Sequence, residues 1–188
     1  NAAVISGNTI SNNTSGGNGG GIEADVGSAI ISGNTIENNK AGRYDGPDNQ
    51  FRLEGKGGGI KARDAGTQIL NNIIKGNQAQ YGGGIANGGT ITGNTIIGNT
   101  ATSNGGGFYA DDIRSSTFSN NYVLSNTGGG VYIKGEAAVT GNIISGNTGK
   151  ALHYHFNNYD TGDVGSVSNN TIFNNTGTPV VYLNRENR

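Results

Sequence analysis

One nine-residue pattern recurs along almost the whole chain and restricts it to a repeat architecture. The pattern places apolar residues at its first and sixth positions and asparagine at its fourth and ninth, as in residues 31–39, Ile-Ser-Gly-Asn-Thr-Ile-Glu-Asn-Asn. Seven copies begin at residues 5, 31, 69, 91, 118, 139 and 167. Because the motif is constant while its spacing varies, we expect fixed turns joined by loops of different lengths.

A second motif, three glycines followed by an apolar residue, lies between the copies. It occurs at residues 19–22, 57–60, 82–85, 105–108 and 128–131. Each repeat thus supplies three short segments with apolar residues at alternate positions, which indicates strands, and none is long enough for a helix. Stacking these strands at about 4.8 Å per coil predicts an all-β fold, a parallel β-helix of about seven coils forming one domain over residues 1–188, with insertions at 40–56 and 156–165.

The asparagines account for 29 of the 188 residues, and this reading gives 14 of them a structural role. At the bends between strands, stacked amides would hydrogen-bond from coil to coil as two asparagine ladders. We also expect these asparagines to adopt the left-handed backbone conformation of the bends. The two predicted ladders are Asn8, Asn34, Asn72, Asn94, Asn121, Asn142 and Asn170, and Asn13, Asn39, Asn77, Asn99, Asn126, Asn147 and Asn175.

Composition excludes several classes of function. Twelve basic and 13 acidic residues give a net charge of −1, so we expect no nucleic-acid partner. The absence of cysteine excludes disulfide scaffolds and thiolate chemistry. No apolar stretch is long enough to span a bilayer, so membrane insertion is not expected. The chain opens within the pattern, which favours a mature protein or a fragment, in an end-to-end assembly or a larger chain.

The combination of Gly-Gly-x-apolar with Ile-x-x-Asn, as in residues 82–85 and 91–94, resembles the right-handed parallel β-helix repeats of the pectate-lyase-like superfamily. It is also similar to the GGxI and FxxN repeats of polymorphic outer-membrane autotransporter passengers. The likeness runs from Val4 to Asn175 and implies a right-handed coil. The superfamily contains pectin and alginate lyases, epimerases, phage tailspikes and adhesins without catalysis, so the resemblance implies the fold more specifically than the activity.

Departures from the repeat mark the candidate site. On the strand after the glycines, alternation points two columns of side chains outward, changing from charged to aromatic along the chain. In the resembled lyases this face carries the substrate site, with Arg or Lys as base and acidic residues holding Ca²⁺. By position, the catalytic candidates are Lys61, Arg63, Lys134 and His153, and the candidates for a Ca²⁺ site are Asp25, Asp111 and Asp112.

Aromatic and cationic residues beside these columns suit a polysaccharide, because sugar faces stack on rings and uronate carboxylates pair with cations. The substrate-binding candidates are Tyr109, Tyr132 and His155 on the strand face, Arg43 and Tyr44 in the first insertion, and Tyr159 in the second. A structural alternative is equally open: Glu23 with Lys61 and Asp25 with Arg63 as cross-coil ion pairs, and the tyrosines as rungs of a stack. His153 with His155 as metal ligands is a weaker signal.

The sequence therefore predicts an extracellular or cell-surface module that binds polysaccharide, with lyase or hydrolase activity as the catalytic version of that function. A non-catalytic adhesin or passenger segment that contacts protein is the leading alternative. A third uses the opposite side, where Ser6, Ser32, Thr92, Ser119, Thr140 and Ser168 form an outward hydroxyl column of the kind that binds ice. Ordinary exposed strands also carry such residues.

Overall fold

The computed structural model describes residues 2–25, 27–45, 50–156, 165–177 and 181–185, and within these ranges the chain forms strands, turns and bends without a helix. The first thirteen strands are β1 (Ala3–Ser6), β2 (Thr9–Ser11), β3 (Thr14–Ser15), β4 (Ile22–Ala24), β5 (Ala29–Ser32), β6 (Thr35–Glu37), β7 (Lys40–Ala41), β8 (Arg43–Asp45), β9 (Gln50–Arg52), β10 (Ile60–Ala62), β11 (Gln68–Leu70), β12 (Ile73–Lys75) and β13 (Gln78–Tyr81). The remaining twelve are β14 (Ile85–Ala86), β15 (Thr90–Thr92), β16 (Thr95–Ile97), β17 (Thr100–Asn104), β18 (Phe108–Ser119), β19 (Tyr122–Leu124), β20 (Val131–Thr140), β21 (Ile143–Ser145), β22 (Leu152–Phe156), β23 (Ser166–Ser168), β24 (Thr171–Phe173) and β25 (Val181–Arg185).

Successive coils stack through parallel strands, as predicted. The glycine face consists of the five strands that follow the glycine triplets and two further strands stacked on them, in the order β4, β10, β14, β18, β20, β22 and β25. The middle face contains β1, β5, β11, β15, the ends of β18 and β20, and β23, and the third face contains β2, β6, β12, β16, β19, β21 and β24. Seven strands in the third face confirm seven coils.

Two details differ from three separate strands per coil. A fourth, narrow sheet of β3, β7, β13 and β17 follows the second asparagine turn. In two late coils the glycine and middle faces are joined by the continuous strands β18 and β20, whose pairing shifts register between Asp111 and Ser116.

The core consists of apolar columns, one residue per coil. Ile31 pairs in register with Ile5 on one side and Ile69 on the other, and this column continues to Val167. The third face contributes a matching column from Ile10 to Ile172. Side chains in the middle coils are completely buried, so each contributes about 1.5–3 kcal/mol of hydrophobic stabilisation, and the columns replace a conventional broad core.

Both asparagine ladders are present. In the first, the Asn72 Nδ2 donates to Asn94 Oδ1 at 3.0 Å and to the carbonyl of Ile31 at 2.8 Å, while its backbone N–H donates to the same Oδ1 at 2.9 Å. The second ladder repeats this arrangement, as at Asn77 with Asn99. Ladder amides in the inner coils are buried, yet each has partners above and below, so burial leaves no polar group unsatisfied.

The expectation that the ladder asparagines themselves are left-handed is wrong. The positive φ belongs to the residue immediately before each of them, for example Gly93 (φ 70°) before Asn94 and Asn120 (φ 54°) before Asn121. The same holds at all fourteen turns, where that residue is Gly or Asn except for Ser125. The left-handed residue reverses the chain, and the ladder residue after it is free to direct its amide along the stack.

The glycine triplets form close-packed corners. Gly57 has a φ of 71°, and a Cβ on Gly59 would lie 2.7 Å from the carbonyl oxygen of Gly84 in the next coil. The corner therefore needs a left-handed residue and then residues without side chains, so that backbones of neighbouring coils can approach.

Beside the early coils, β8 and β9 pair as an antiparallel hairpin inside the first predicted insertion. Of the second insertion, residues 157–164 lie outside the described residues, and Tyr159 is among them. Within the described ranges, no helix could cross a bilayer.

Candidate functional site

Alternate positions of the glycine-face strands form the two predicted columns, here called the stripe. In the first column, Cα pairing follows Glu23, Lys61, Ala86, Tyr109, Tyr132, His153 and Tyr182. In the second, it follows Asp111, Lys134, His155 and Asn184, and Asp25 and Arg63 come directly after the strand residues of the early coils. The stripe is therefore continuous from coil to coil, and its residue types change along the coil axis.

The early end of the stripe is an ionic cluster. The Lys61 ammonium contacts a carboxylate oxygen of Asp25 and lies 3.4 Å from Glu23 Oε1. Lys61 points outward, yet only 8% of it is exposed, because these neighbours cover it. The hydrogen bond from Lys61 lowers the pKa of Asp25, with the charge of Arg63 adding to the effect. The predicted cross-coil pair of Glu23 with Lys61 is thus present, whereas Asp25, which was predicted to pair with Arg63, pairs with Lys61.

Arg43, the cationic candidate of the first insertion, forms an ion pair within that insertion. Arg43 Nε pairs with Glu54 Oε2 at 2.6 Å. They line a small depression of about 120 Å³ together with the glycines at 16, 17, 42 and 55. The backbone of Tyr44 pairs with Phe51 in the hairpin, and its side chain lies outside the described part of the structure.

The middle of the stripe is an aromatic stack. Tyr109 packs against Tyr132 with ring centroids 5.1 Å apart and against Tyr81 at 4.9 Å. The Lys56 ammonium lies 5.5 Å from the Tyr109 ring centroid, within cation–π range. Tyr109 donates its hydroxyl to Asp111 Oδ2 at 3.1 Å, and burial together with that carboxylate raises its pKa. At 6% exposure Tyr109 offers no free ring face, although its neighbour Tyr132 is only half-buried.

The late end combines aromatic rings with imidazoles. His153 meets the Tyr132 ring edge-on at 4.8 Å, and the His153 and His155 centroids are 4.3 Å apart. Burial lowers the pKa of His153 to about 4, and the charges of Lys150 and His155 act in the same direction. His153 is therefore a neutral imidazole at neutral pH, able to accept or donate a hydrogen bond.

A cleft of about 250 Å³ opens beside this late end. Its walls come from β17, the glycine corners, β20 and β22: Ser103, Asn104, Gly105, Gly128, Gly129, Val131, Tyr132, Gly149, Lys150 and His153. Small-molecule pockets usually measure about 300–1,000 Å³, so this cleft accommodates one unit of a larger ligand. It offers an aromatic ring, a cation, an imidazole and two neutral polar side chains.

The proposed catalytic residues are divided between the two ends. Lys61 on β10 and His153 on β22 are separated by four strand spacings, roughly 19 Å. Arg63 lies at the early end with Lys61, whereas Lys134 is the Cα partner of His155 at the late end. Only Lys134 and His153 therefore share a neighbourhood in which both could contact one substrate unit.

The proposed Ca²⁺ ligands do not meet either. Asp25 is engaged by Lys61, and Asp111, three strands away, accepts the Tyr109 hydroxyl. The side chain of Asp112 lies outside the described part of the chain. Among the residues that the structure describes, no three His, Cys, Asp or Glu side chains are grouped as a metal-ligand set.

Sequence reasoning missed three contributors to the stripe. Tyr81 and Lys56 each precede a glycine triplet, and Lys150 lies in Gly149-Lys150-Ala151, which takes the place of a triplet before β22. Tyr81 is the last residue of β13 and packs against Tyr109 in the first outward column, so its position could be assigned only once this strand was known. Lys56 and Tyr81 are in fact bridged as parallel neighbours.

The third face carries an apolar patch on its later coils. Outward positions of its strands are occupied by Ile97, Tyr122, Leu124, Ile143 and Phe173, of which Tyr122 and Phe173 are 49% and 47% exposed. On the early coils the same positions carry Thr9, Thr35, the ion pair of Lys75 with Glu37, and Ile73, which is 46% exposed. The hydroxyl column of the middle face is in register, but Leu70 interrupts it between Ser32 and Thr92. The Thr92 and Ser119 hydroxyls lie 2.9 Å apart as a hydrogen-bonded pair.

Comparison with known proteins identifies the family. The family model described as "Right handed beta helix region" matches residues 48–188, most of the chain. No curated protein and no solved structure matches this chain significantly. The match agrees with the parallel coils, the in-register apolar columns and the asparagine ladders described above. The chain therefore belongs to the right-handed β-helix family.

Proposed function

We propose that this protein is an extracellular or cell-surface β-helix module that binds polysaccharide along the late half of the stripe. The observation that carries the proposal is the cleft in which Tyr132, Lys150 and His153 converge beside the glycine corners. Its family includes polysaccharide-active enzymes among other proteins, which agrees with this function. The ligand would lie along the coil axis and place one sugar unit in the cleft.

The chemistry of the cleft suits an acidic sugar. Tyr132 is partly exposed and presents an aromatic surface to the C–H groups of a sugar ring. Ser103 and Asn104 supply hydrogen-bonding groups for hydroxyls. Lys150 supplies the positive charge that a uronate carboxylate requires, and a charge-assisted hydrogen bond there is stronger than a neutral one.

Binding is supported more strongly than cleavage. An acid–base mechanism needs its groups within hydrogen-bonding reach of one substrate unit. Lys61 and Arg63 are roughly 19 Å from His153, and the Lys61 ammonium is engaged by two carboxylates. Any lyase or hydrolase activity would therefore depend on Lys134 and His153, the pair that shares the late end.

A glycan array with immobilised uronate and neutral polymers tests binding directly. We expect retention of acidic polymers, with at least a tenfold loss of affinity in Tyr132→Ala and in Lys150→Ala. Tyr122→Ala on the third face is the matched control, because it removes an exposed tyrosine elsewhere, and it should bind like the unmodified protein. No retention on any polymer, or equal losses for Tyr132→Ala and Tyr122→Ala, would contradict the proposal.

Cleavage is tested separately on soluble uronate polymers. A lyase releases unsaturated products that absorb in the ultraviolet, and a hydrolase releases reducing ends. If turnover occurs, we expect Lys134→Ala or His153→Ala to abolish it and Lys61→Ala to preserve it. Binding without either product would identify a non-catalytic carbohydrate-binding module.

The apolar patch of the third face supports a second candidate, the adhesin alternative. Exposed aromatic and aliphatic side chains in a contiguous group are characteristic of protein contact surfaces. In this case Tyr122→Ser with Phe173→Ser would abolish adhesion to a protein-coated or cellular surface, whereas Tyr132→Ala would leave it unchanged. The reverse pattern would favour the cleft.

A further inference from the structure

His153 and His155 occupy alternate positions of β22, so both side chains leave the same side of the strand. The structure adds that their rings are adjacent, with centroids 4.3 Å apart and planes inclined at 41°. They are the only two histidines in the chain. Two imidazoles held side by side are a chelating pair for ions that prefer nitrogen ligands.

The ring separation fits one kind of coordination. Imidazole nitrogens bind such ions at about 2.0–2.1 Å, which places two ring centroids roughly 4.5 Å apart at a right angle and roughly 5.2 Å apart at the tetrahedral angle. The observed 4.3 Å agrees with neighbouring positions of a square-planar or octahedral ion. We infer that His153 and His155 form a two-histidine site for a divalent transition metal, with Cu²⁺ preferred over Ni²⁺ and Zn²⁺.

Tyr132 supports this geometry. Its ring contacts His153 edge-on at 4.8 Å and His155 at 5.8 Å, so one side chain packs against both imidazoles. Both histidines are half-buried as residues and the cleft adjoins His153, although the Nε2 atom of His153 is itself enclosed by protein. Packing that orients ligands before the ion arrives increases affinity.

The surrounding charge determines which cations are accepted. Lys134 is the cross-strand partner of His155, and Lys150 lines the cleft with His153, so both ammonium groups oppose any cation. Ca²⁺ needs six to eight oxygen ligands, and the described residues supply no cluster of three acidic or histidine side chains. A transition ion offsets this repulsion through its bonds to nitrogen, whereas Ca²⁺ does not. This site therefore differs from the carboxylate site predicted from the sequence.

Titration calorimetry on untagged, chelator-treated protein with Cu²⁺, Ni²⁺, Zn²⁺ and Ca²⁺ tests the inference. We expect one site per chain for the transition ions, tightest for Cu²⁺, and no heat of binding for Ca²⁺. His153→Asn and His155→Asn should each weaken Cu²⁺ and Ni²⁺ binding at least tenfold while leaving the circular dichroism spectrum unchanged. Electron paramagnetic resonance of the Cu²⁺ complex should show nitrogen coupling from two imidazoles.

Lys150→Gln separates this inference from the polysaccharide proposal. Loss of that ammonium should tighten Cu²⁺ binding severalfold, whereas it should weaken retention of an acidic polymer. Unaltered Cu²⁺ affinity in the His153→Asn/His155→Asn double variant would assign binding to other groups, such as the chain amine, and would overturn the inference. Ca²⁺ binding as tight as that of Ni²⁺ would overturn it as well. Failure of the glycan array would leave this test unaffected.

Discussion

The asparagine turns and the stripe are built on the same coils but vary in opposite ways. At the turns, one residue type repeats on seven coils and makes the same hydrogen bonds on each inner coil. On the stripe the residue changes at almost every coil, so an ionic cluster at Lys61 gives way to stacked rings at Tyr109 and imidazoles at His153. Residues that are the same in every coil stabilise the stack, whereas residues that differ between coils give each part of the stripe its own chemical character.

The largest loss of stability is expected when an asparagine is removed from the middle of a ladder. Asn94→Ala in the central coil removes an Oδ1 that accepts two bonds from Asn72 and an amide that donates to the carbonyl of Ile69 and to Asn121. Several buried polar groups would lose their partners, at about 1–3 kcal/mol each. We expect a loss of about 3–5 kcal/mol in the free energy of unfolding, measured by denaturant titration.

The terminal position of the same ladder is the control. Asn8 is exposed, and its Nδ2 donates to Asn34 Oδ1 and to the carbonyl of Ser6. Water can replace both partners, so Asn8→Ala should cost about 1 kcal/mol. Equal costs for the first and the central rung would show that the amides do not stabilise the stack through buried hydrogen bonds.

Substitution at a glycine corner should cause the next largest loss of stability. Gly59→Ala would place a methyl group 2.7 Å from the carbonyl of Gly84, which must move away or break the contact between coils. We expect a loss of about 2–3 kcal/mol in thermal or denaturant unfolding. Gly98→Ala is the matched control: its φ is 64°, but nothing lies within 4 Å of the added Cβ, so only backbone strain of about 1 kcal/mol applies.

The uniform part of the molecule was predictable from the sequence, because register partners are the same residue type from coil to coil. Spacing alone therefore gave both ladders, both apolar columns and the outward direction of Lys61 and Tyr109. It failed to assign the left-handed residue, since Gly93 and Asn94 are both compatible with a positive φ. Only the hydrogen bonds show which of the two turns the chain.

The strands of the fourth face, and the packing of Tyr81 against the stripe, were not predictable in the same way. Short strands such as β7 and β17 share only a small residue two positions after the second ladder asparagine, as Ala41 and Ala101 do. That signal is too weak to define a strand. The position of Tyr81 depends on this strand, and so does the burial of Tyr109, so alternation predicted direction correctly and exposure incorrectly.

We expect a smaller loss of stability from a substitution at the early, ionic end of the stripe. Lys61→Met should lower the free energy of unfolding by about 1 kcal/mol at pH 7, because two partly exposed carboxylates lose their shared cation. The lowered pKa of Asp25 means that its stabilisation is present above the ordinary value of 3.8 and is lost as pH falls through the lowered value.

The difference between the unmodified protein and Lys61→Met should therefore shrink in strong acid. Lys75→Met, which removes the more exposed pair with Glu37 at 2.7 Å, should cost at most a few tenths of a kcal/mol. A constant difference for Lys61→Met from pH 7 to pH 2 would indicate that the side chain stabilises by packing alone.

The smallest expected change in stability concerns His153 at the late end of the stripe. There, acid should lower the free energy of unfolding at a higher pH than it does at the early, ionic end. The pKa of His153 is about 4 in the folded protein and 6.5 in the unfolded chain, so the unfolded state takes up a proton first as pH falls. Stability from this group is complete above about pH 6.5 and declines towards pH 4. Complete linkage would give about 2 kcal/mol at pH 5, and partial exposure of the ring reduces the expected loss to below about 1 kcal/mol.

His153→Gln should remove this loss, because glutamine does not titrate. Denaturant unfolding between pH 7 and pH 5, in buffer containing a chelator, should show a smaller decline for the variant than for the unmodified protein. Asp25 does not interfere, because its pKa lies below this window. Parallel declines for the two proteins would mean that His153 is as well solvated as in an unfolded chain. The late stripe would then lack the desolvated imidazole that separates its chemistry from that of the ionic end.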